Sequence, residues 1–180
     1  MAAALRAAPD TPCATPGEGS FPHLSTALLV RALGAACRAV HYAEPAQALA
    51  DLAAGRVQLY VNNAPTSLMA ARAGRATALA VTSRGRLAAA PELPAVGETV
   101  PGFEAEGWFA LLGPRGLPAN VAARLERAAA QAARDPAVAR RLRVLGAEPV
   151  GSSAAELAAL LRAEDAKWAG AARAAGLAPE

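Results

Sequence analysis

Short apolar runs alternate with longer amphipathic stretches through most of this chain, the pattern of strands interleaved with helices. Apolar residues at helical spacing predict helices over residues 21–33, 45–54 and 65–73, and compact apolar runs predict strands over 38–42, 56–61 and 77–82. Gly34, Gly55 and Gly74 each fall just past a predicted helix, where a left-handed residue ends the helix and glycine enters that conformation without steric cost. Toward the C-terminus the pattern predicts helices over 118–134, 136–145 and 153–174 and a short strand over 148–150. Ser152 or Ser153 can cap the last helix, and Glu156 can complete a capping box with Ser153. The expected architecture is a parallel or mixed sheet covered by helices, an α/β fold.

One stretch interrupts this rhythm. Pro91, Pro94, Pro101, Pro114 and Pro118 fix φ and remove backbone donors, so no continuous helix crosses residues 91–118, and Gly97 and Gly102 permit tight turns between them. Within it, residues 108–112 (Trp-Phe-Ala-Leu-Leu) form one apolar run, expected to be a short buried strand that passes from one layer of structure to another. The segment has the character of a hinge between two lobes.

Composition narrows the field. The chain has 180 residues, 54% of them hydrophobic, so it can bury a core. Much of that fraction is alanine, and the core is correspondingly thin. All but one of the 18 basic residues are arginine, Lys167 being the exception, and the net charge is only +3. The arginines are dispersed along predicted helices and only 4% of residues are aromatic, which argues against nucleic acid as a partner. Cys13 and Cys37 lack metal-ligand spacing; both are expected to be small buried hydrophobes, with a disulfide possible but unsupported. No apolar run is long enough to span a bilayer, and the N-terminus lacks the basic-then-apolar order of a secretory signal.

The order of motifs carries more than any one of them. Arg86, Pro91, Pro94 and Glu98 follow an Arg-x4-Pro-x2-Pro-x3-Glu spacing, then come Pro101-Gly102-Phe103, Trp108-Phe109, and Pro114 with Pro118. Gly17-Glu18-Gly19-Ser20 with His23-Leu24, Val40-His41-Tyr42, Leu49-Ala50-Asp51-Leu52 with Gly55, residues 78–83 after Gly74, and residues 145–149 stand in matching order. The series resembles the solute-binding proteins of tripartite tricarboxylate transporters, the Bug family, over nearly the whole chain.

The resemblance implies a periplasmic-binding-protein-like (type II) fold in incomplete form. Residues 1–105 would be the second, ligand-binding lobe, and 106–180 a hinge strand with the returning helical part of the first. It also implies capture of a small organic carboxylate or amino acid, delivery to the membrane subunits of the transporter, a periplasmic location, and no cofactor or metal. Residues 1–9 resemble the helix before the Gly17 loop, so the first lobe's opening strands are expected to be missing and the chain is expected to be truncated. Without a signal, the chain as written would stay in the cytoplasm.

Candidate ligand contacts follow from local chemistry and from this match. Residues 16–20 lead directly into a helix, whose free amides and positive dipole end favour an anion, and Gly17 and Gly19 let a carboxylate approach the backbone. Ser20 matches the family's hydroxyl; the same Gly-x-Gly-Ser also reads as an ordinary turn with an N-cap. Glu18 would oppose an anion unless it points to solvent. His23, one turn into the helix, could bond ligand or loop, or serve structure alone. Tyr42 at a strand's C-terminal end reads as a ligand contact or as a half-buried aromatic. Asn62 and Asn63 suit water-mediated recognition, or simply a turn. Thr66 and Ser67 are expected to cap the next helix, and Arg86 to clamp Glu98 at the hinge.

Nothing marks a catalytic site: neither His23 nor His41 lies in a recognisable Ser-His-acid order, and no paired acids or His-rich cluster occur. A non-enzymatic role is expected. A cytoplasmic ligand-sensing or effector-binding module of similar fold is the alternative reading, followed by a small hydrolase.

Overall fold

The computed structural model describes residues 2–177. Met1, which the sequence joins to the first helix, lies outside the described residues. The chain runs α1 (Ala2–Ala7), β1 (Pro12–Thr15), α2 (Phe21–Ala32), β2 (Arg38–His41), α3 (Pro45–Ala53), β3 (Leu59–Tyr60), α4 (Ala64–Arg72), a 3-10 turn at Val96–Glu98, α5 (Ala119–Arg134), α6 (Pro136–Val144) and α7 (Ala154–Ala174). The backbone divides into two compact units, one of residues 1–107 with 167–180 and the other of 108–166.

The first unit is built on a three-stranded parallel sheet in the order β2-β1-β3. Pro12, Cys13, Ala14 and Thr15 pair in register with Arg38, Ala39, Val40 and His41, while Cys13 and Ala14 pair on the other side with Leu59 and Tyr60. Alternation along β1 sends its side chains to two cores. Cys13 joins Leu5, Leu29, Val30, Leu59, Val96, Phe103 and Ala105, whereas Ala14 joins Ala48 and Val57. Helix α2 therefore covers one face and α3 the other. Half of the buried apolar residues among those described are alanine, so the larger side chains carry most of the burial energy, about 1.5–3 kcal/mol each.

The helix ends form as their residues dictate. Gly34 has φ +60° and closes α2 with Gly34 N–H on the Arg31 carbonyl and Ala35 N–H on the Val30 carbonyl. Gly55 and Gly74 repeat the device at φ +73° and +69°. Ser153 and Glu156 cap α7 reciprocally, with Ser153 N–H donating to Glu156 Oε2 at 2.8 Å and Glu156 N–H to Ser153 Oγ at 3.2 Å. Thr66 and Ser67 do not cap α4. Asn63 holds that position without a side-chain bond, and both residues lie inside the helix.

The strands differ more from expectation. β1 was not foreseen: a four-residue Pro-Cys-Ala-Thr run offers little pattern, and its place is set by two neighbours. The run over 56–61 contributes only Leu59–Tyr60, because the amides of Arg56 and Val57 turn back to the Asp51 carbonyl and finish α3. The expected strand over 77–82 reduces to one parallel bridge, Val81 with Ala95, held by Val81 N–H on the Pro94 carbonyl and Val96 N–H on the Val81 carbonyl. Residues 148–150 form no strand, and Val150 is exposed.

Residues 108–112 are likewise neither strand nor buried. Phe109 is 98% exposed, Leu111 72% and Leu112 73%. A continuous apolar run makes a buried strand only where strands flank it and layers cover it, and among the described residues none pairs with it. The second unit's own order comes from α5 and α6, joined through Asp135, whose carboxylate accepts from the amides of Ala137 and Val138. The start of α7 is tied to α5 by Ala154 N–H on Glu126 Oε2.

Candidate functional site

Parallel strands all end on one edge, and in an open α/β sheet that carboxyl edge is where ligands sit. Residues 17–20 follow β1, Tyr42 follows β2, and Asn62 and Asn63 follow β3. The sheet order thus brings the candidate segments to one edge. Because β1 sends its chain to β2 on one side and β2 sends its own to β3 on the other, β1 and β3 flank the point where the order reverses.

The Gly17 loop is organised by its own side chains. Ser20 Oγ donates to the Gly17 carbonyl at 2.7 Å and accepts from His23 N–H at 3.4 Å as the N-cap of α2. Gly17 and Gly19 have φ +154° and +69°, and the value at Gly19 is one that a side chain strongly disfavours. Gly19 N–H donates to His23 Nδ1 at 3.1 Å, which puts the proton of the neutral ring on Nε2. His23 is buried at 8% exposure. Burial, followed by the nearby His41, lowers its pKa from 6.5, and Glu18 opposes the shift. Glu18 itself is exposed, as an anion site at this loop requires.

Two residues that the sequence left aside complete the cluster. Thr15, fully buried at the end of β1, lies opposite His41 in the ladder, and its Oγ1 is 2.7 Å from His41 Nδ1. The His41 and His23 rings meet edge to face, centroids 5.1 Å apart. Only the β1–β2 register reveals this, since Thr15 ends a strand the sequence did not announce. A polar wall of Thr15, Ser20, His23 and His41 therefore stands beside the α2 N-terminus. With His23 Nδ1 taken by the Gly19 amide, its Nε2–H and the helix dipole end suit an anion better than a cation.

The other candidates stand apart from that wall. Alternation in β2 turns Tyr42 to the α3 side, where its hydroxyl donates to Asp51 Oδ2 at 2.8 Å and Arg56 holds the other carboxylate oxygen. The bond to Asp51 raises the Tyr42 pKa, and Arg56 followed by Tyr42 lowers that of Asp51. Asn62 is half-buried and accepts the Asn63 amide through Oδ1 at 2.8 Å, a local turn bond. Arg86 is engaged twice by Glu98, Nε to Oε1 and Nη2 to Oε2, both at 2.7 Å; Nη1 reaches the Pro91 carbonyl, and Glu98 Oε1 also accepts the Ala95 amide. That arginine is a clamp on the Pro91–Val96 stretch. An open depression between α5 and α6, lined by Gln131, Arg134, Asp135 and Val138, lies in the second unit and holds none of the candidates. No three His, Cys, Asp or Glu side chains among the described residues converge as a metal site would require.

An open parallel sheet with a polar wall at its carboxyl edge is an α/β architecture of the kind that seats small molecules. The family model described as "Tripartite tricarboxylate transporter family receptor" matches residues 2–177, and the chain belongs to that family. A UPF0065 protein of a Pseudomonas species is 33% identical over 170 residues, covering 91% of this chain and 51% of the relative. Among solved structures, an R. palustris protein with adipate is 35% identical with a TM-score of 0.86, over 99% of this chain and 60% of that one. The periplasmic binding protein BugD is 29% identical with a TM-score of 0.80, over 99% and 61%. The fold is therefore part of that of periplasmic binding proteins, and the family is one of receptors, not enzymes. The chain spans about half the length of the curated relative and three-fifths of the solved structures. No helix among the described residues is long and apolar enough to cross a membrane.

Proposed function

We propose that the chain supplies one lobe, and the returning part of the other, of an extracytoplasmic receptor that captures a small organic carboxylate for the membrane subunits of a tripartite transporter. The observation that carries this reading is the wall of Ser20, His23, His41 and Thr15 beside the α2 N-terminus, on the carboxyl edge of a parallel sheet. There a carboxylate would be met by the Nε2–H of His23, while the Gly19 and Ser20 amides hold the loop itself in shape. The adipate bound by the R. palustris relative fits the same ligand class. Within this reading, residues 1–105 are the ligand lobe and 106–180 the hinge and the returning part of the other lobe. Asn62 and Asn63 form the outer rim, approached through water, and Tyr42, bonded to Asp51 on the α3 side, braces the end of β2.

One lobe supplies only part of the binding energy and cannot close water out of the site. The chain as it stands is expected to bind dicarboxylates weakly, with Kd above about 1 mM. The test is isothermal titration with a dicarboxylate and amino-acid panel, on this chain and on a hybrid. The hybrid joins this chain to the segment of the R. palustris relative that it does not cover. The hybrid should bind at least one dicarboxylate at about micromolar Kd, and His23→Ala should weaken that at least about tenfold, as loss of one charge-assisted bond would. A folded hybrid that binds no carboxylate would overturn the reading. Micromolar binding by the chain alone would overturn the need for a second lobe.

A further inference from the structure

Cys13 and Cys37 lie at the opposite end of the sheet from the ligand wall. Cys13 is 0% exposed in the centre of β1, and Cys37 is half-buried just before β2. The ladder places Pro12 against Arg38 and Cys13 against Ala39. Cys37 therefore precedes the first paired residue and, by alternation, faces the same side as Ala39 and Cys13. Both sit in one apolar cluster, with Leu29 and Val30 of α2 beside them. The Cys13 thiol donates to the Thr11 carbonyl at 3.8 Å, and the two cysteines shift each other's titration. Packing alone does not call for two thiols at this spot, since alanine fills most small positions of this core.

We propose that Cys13 and Cys37 are a dithiol pair that closes to an intrachain disulfide by exchange with a small-molecule disulfide, stapling the segment that carries the Gly17 loop and α2. The chemistry divides between them by exposure. The neighbouring Cys13 lowers the Cys37 pKa, whereas Cys37 and burial raise that of Cys13. Cys37 is thus the attacking thiolate. It displaces one thiolate from oxidised glutathione and forms a mixed disulfide. Cys13 then gives up its proton and attacks the Cys37 sulfur, releasing the second glutathione. The protein loses two hydrogens and one glutathione disulfide becomes two thiols, so the exchange balances. Closure needs the sulfurs to come within about 2 Å of each other. Cys37 is diagonal to Cys13 across the register, so closure also needs a backbone shift at Cys37, which lies outside the strand ladder. All of α2 and residues 16–20 then lie inside the covalent ring, which restricts the unfolded chain.

The test is incubation of the reduced, folded chain with oxidised glutathione, followed by intact mass and a non-reducing peptide map. The expected product is lighter by two hydrogens, contains a Cys13–Cys37 linked peptide, melts several degrees higher, and reverts with dithiothreitol. Cys13→Ala should halt at a glutathione adduct on Cys37, and Cys37→Ser should gain no adduct while folded. Two free thiols after treatment, a lasting adduct on Cys37 of the unsubstituted chain, or a linkage that forms only in urea would each overturn the proposal.

Discussion

His23 is where loop geometry, burial and titration meet in one side chain. Its Nδ1 accepts the Gly19 amide, so a proton arriving there would face a donor with a donor and release the loop. Burial and His41 lower its pKa below 6.5, which means the unfolded chain takes the proton at a higher pH than the folded one. The stabilisation is therefore complete above pH 6.5 and is lost as pH falls through the lower folded value. His23→Gln keeps an acceptor for Gly19 and cannot titrate. Urea midpoints between about pH 5 and 7.5, spanning the ordinary imidazole range, should fall with acidity in the unsubstituted chain and flatten in the variant. Equal slopes in the two proteins would show that the ring is not the source.

Elements were legible in proportion to how locally they are determined. Ser20 before Phe21-Pro22, the glycines after α2, α3 and α4, and the Ser153–Glu156 box each fix a helix end with groups a few residues apart, and those helices stand within a residue or two of expectation. Strands depend on partners far along the chain, so β1 was missed and residues 108–112 were read as buried when nothing covers them. The site divides the same way. The Gly17 loop and His23 form one local turn that the sequence exposed, whereas Thr15 and His41 meet only through the β1–β2 register. The Arg86–Glu98 clamp was visible as a spacing, and it orders the stretch where Ala95 meets Val81. Arg86, then the Ala95 amide, bring the Glu98 pKa from 4.5 to about 2. The stabilisation it adds is thus present above pH 4.5 and disappears as pH drops through 2. Glu98→Gln should remove that acid-limb dependence, read by thermal melts from pH 5 down to about 2. An unchanged acid limb would place the acid sensitivity in other carboxylates.

At the scale of the whole molecule, the two units differ in what holds them. Both apolar clusters belong to the first, whereas in residues 108–166 Ala139 is the only buried apolar residue among those described. Its helices lean on caps and ion pairs, such as Arg143 with Glu148 at 3.1 Å, both groups being largely exposed, and exposed pairs of that kind add little. Amide protection follows local burial, so the amides of α5 and α6 should exchange far faster than those of β1 and α2, at rates set by fraying of the helices themselves. Phe109, Leu111 and Leu112 offer an uncovered apolar strip that a hydrophobic dye should find. Replacing all three by serine should remove most of the bound dye and leave exchange in β1 and α2 unchanged, because no core residue of the first unit is altered. Uniform protection across both units, measured by hydrogen exchange with mass spectrometry, would show that the second unit owes its order to more than its own helices.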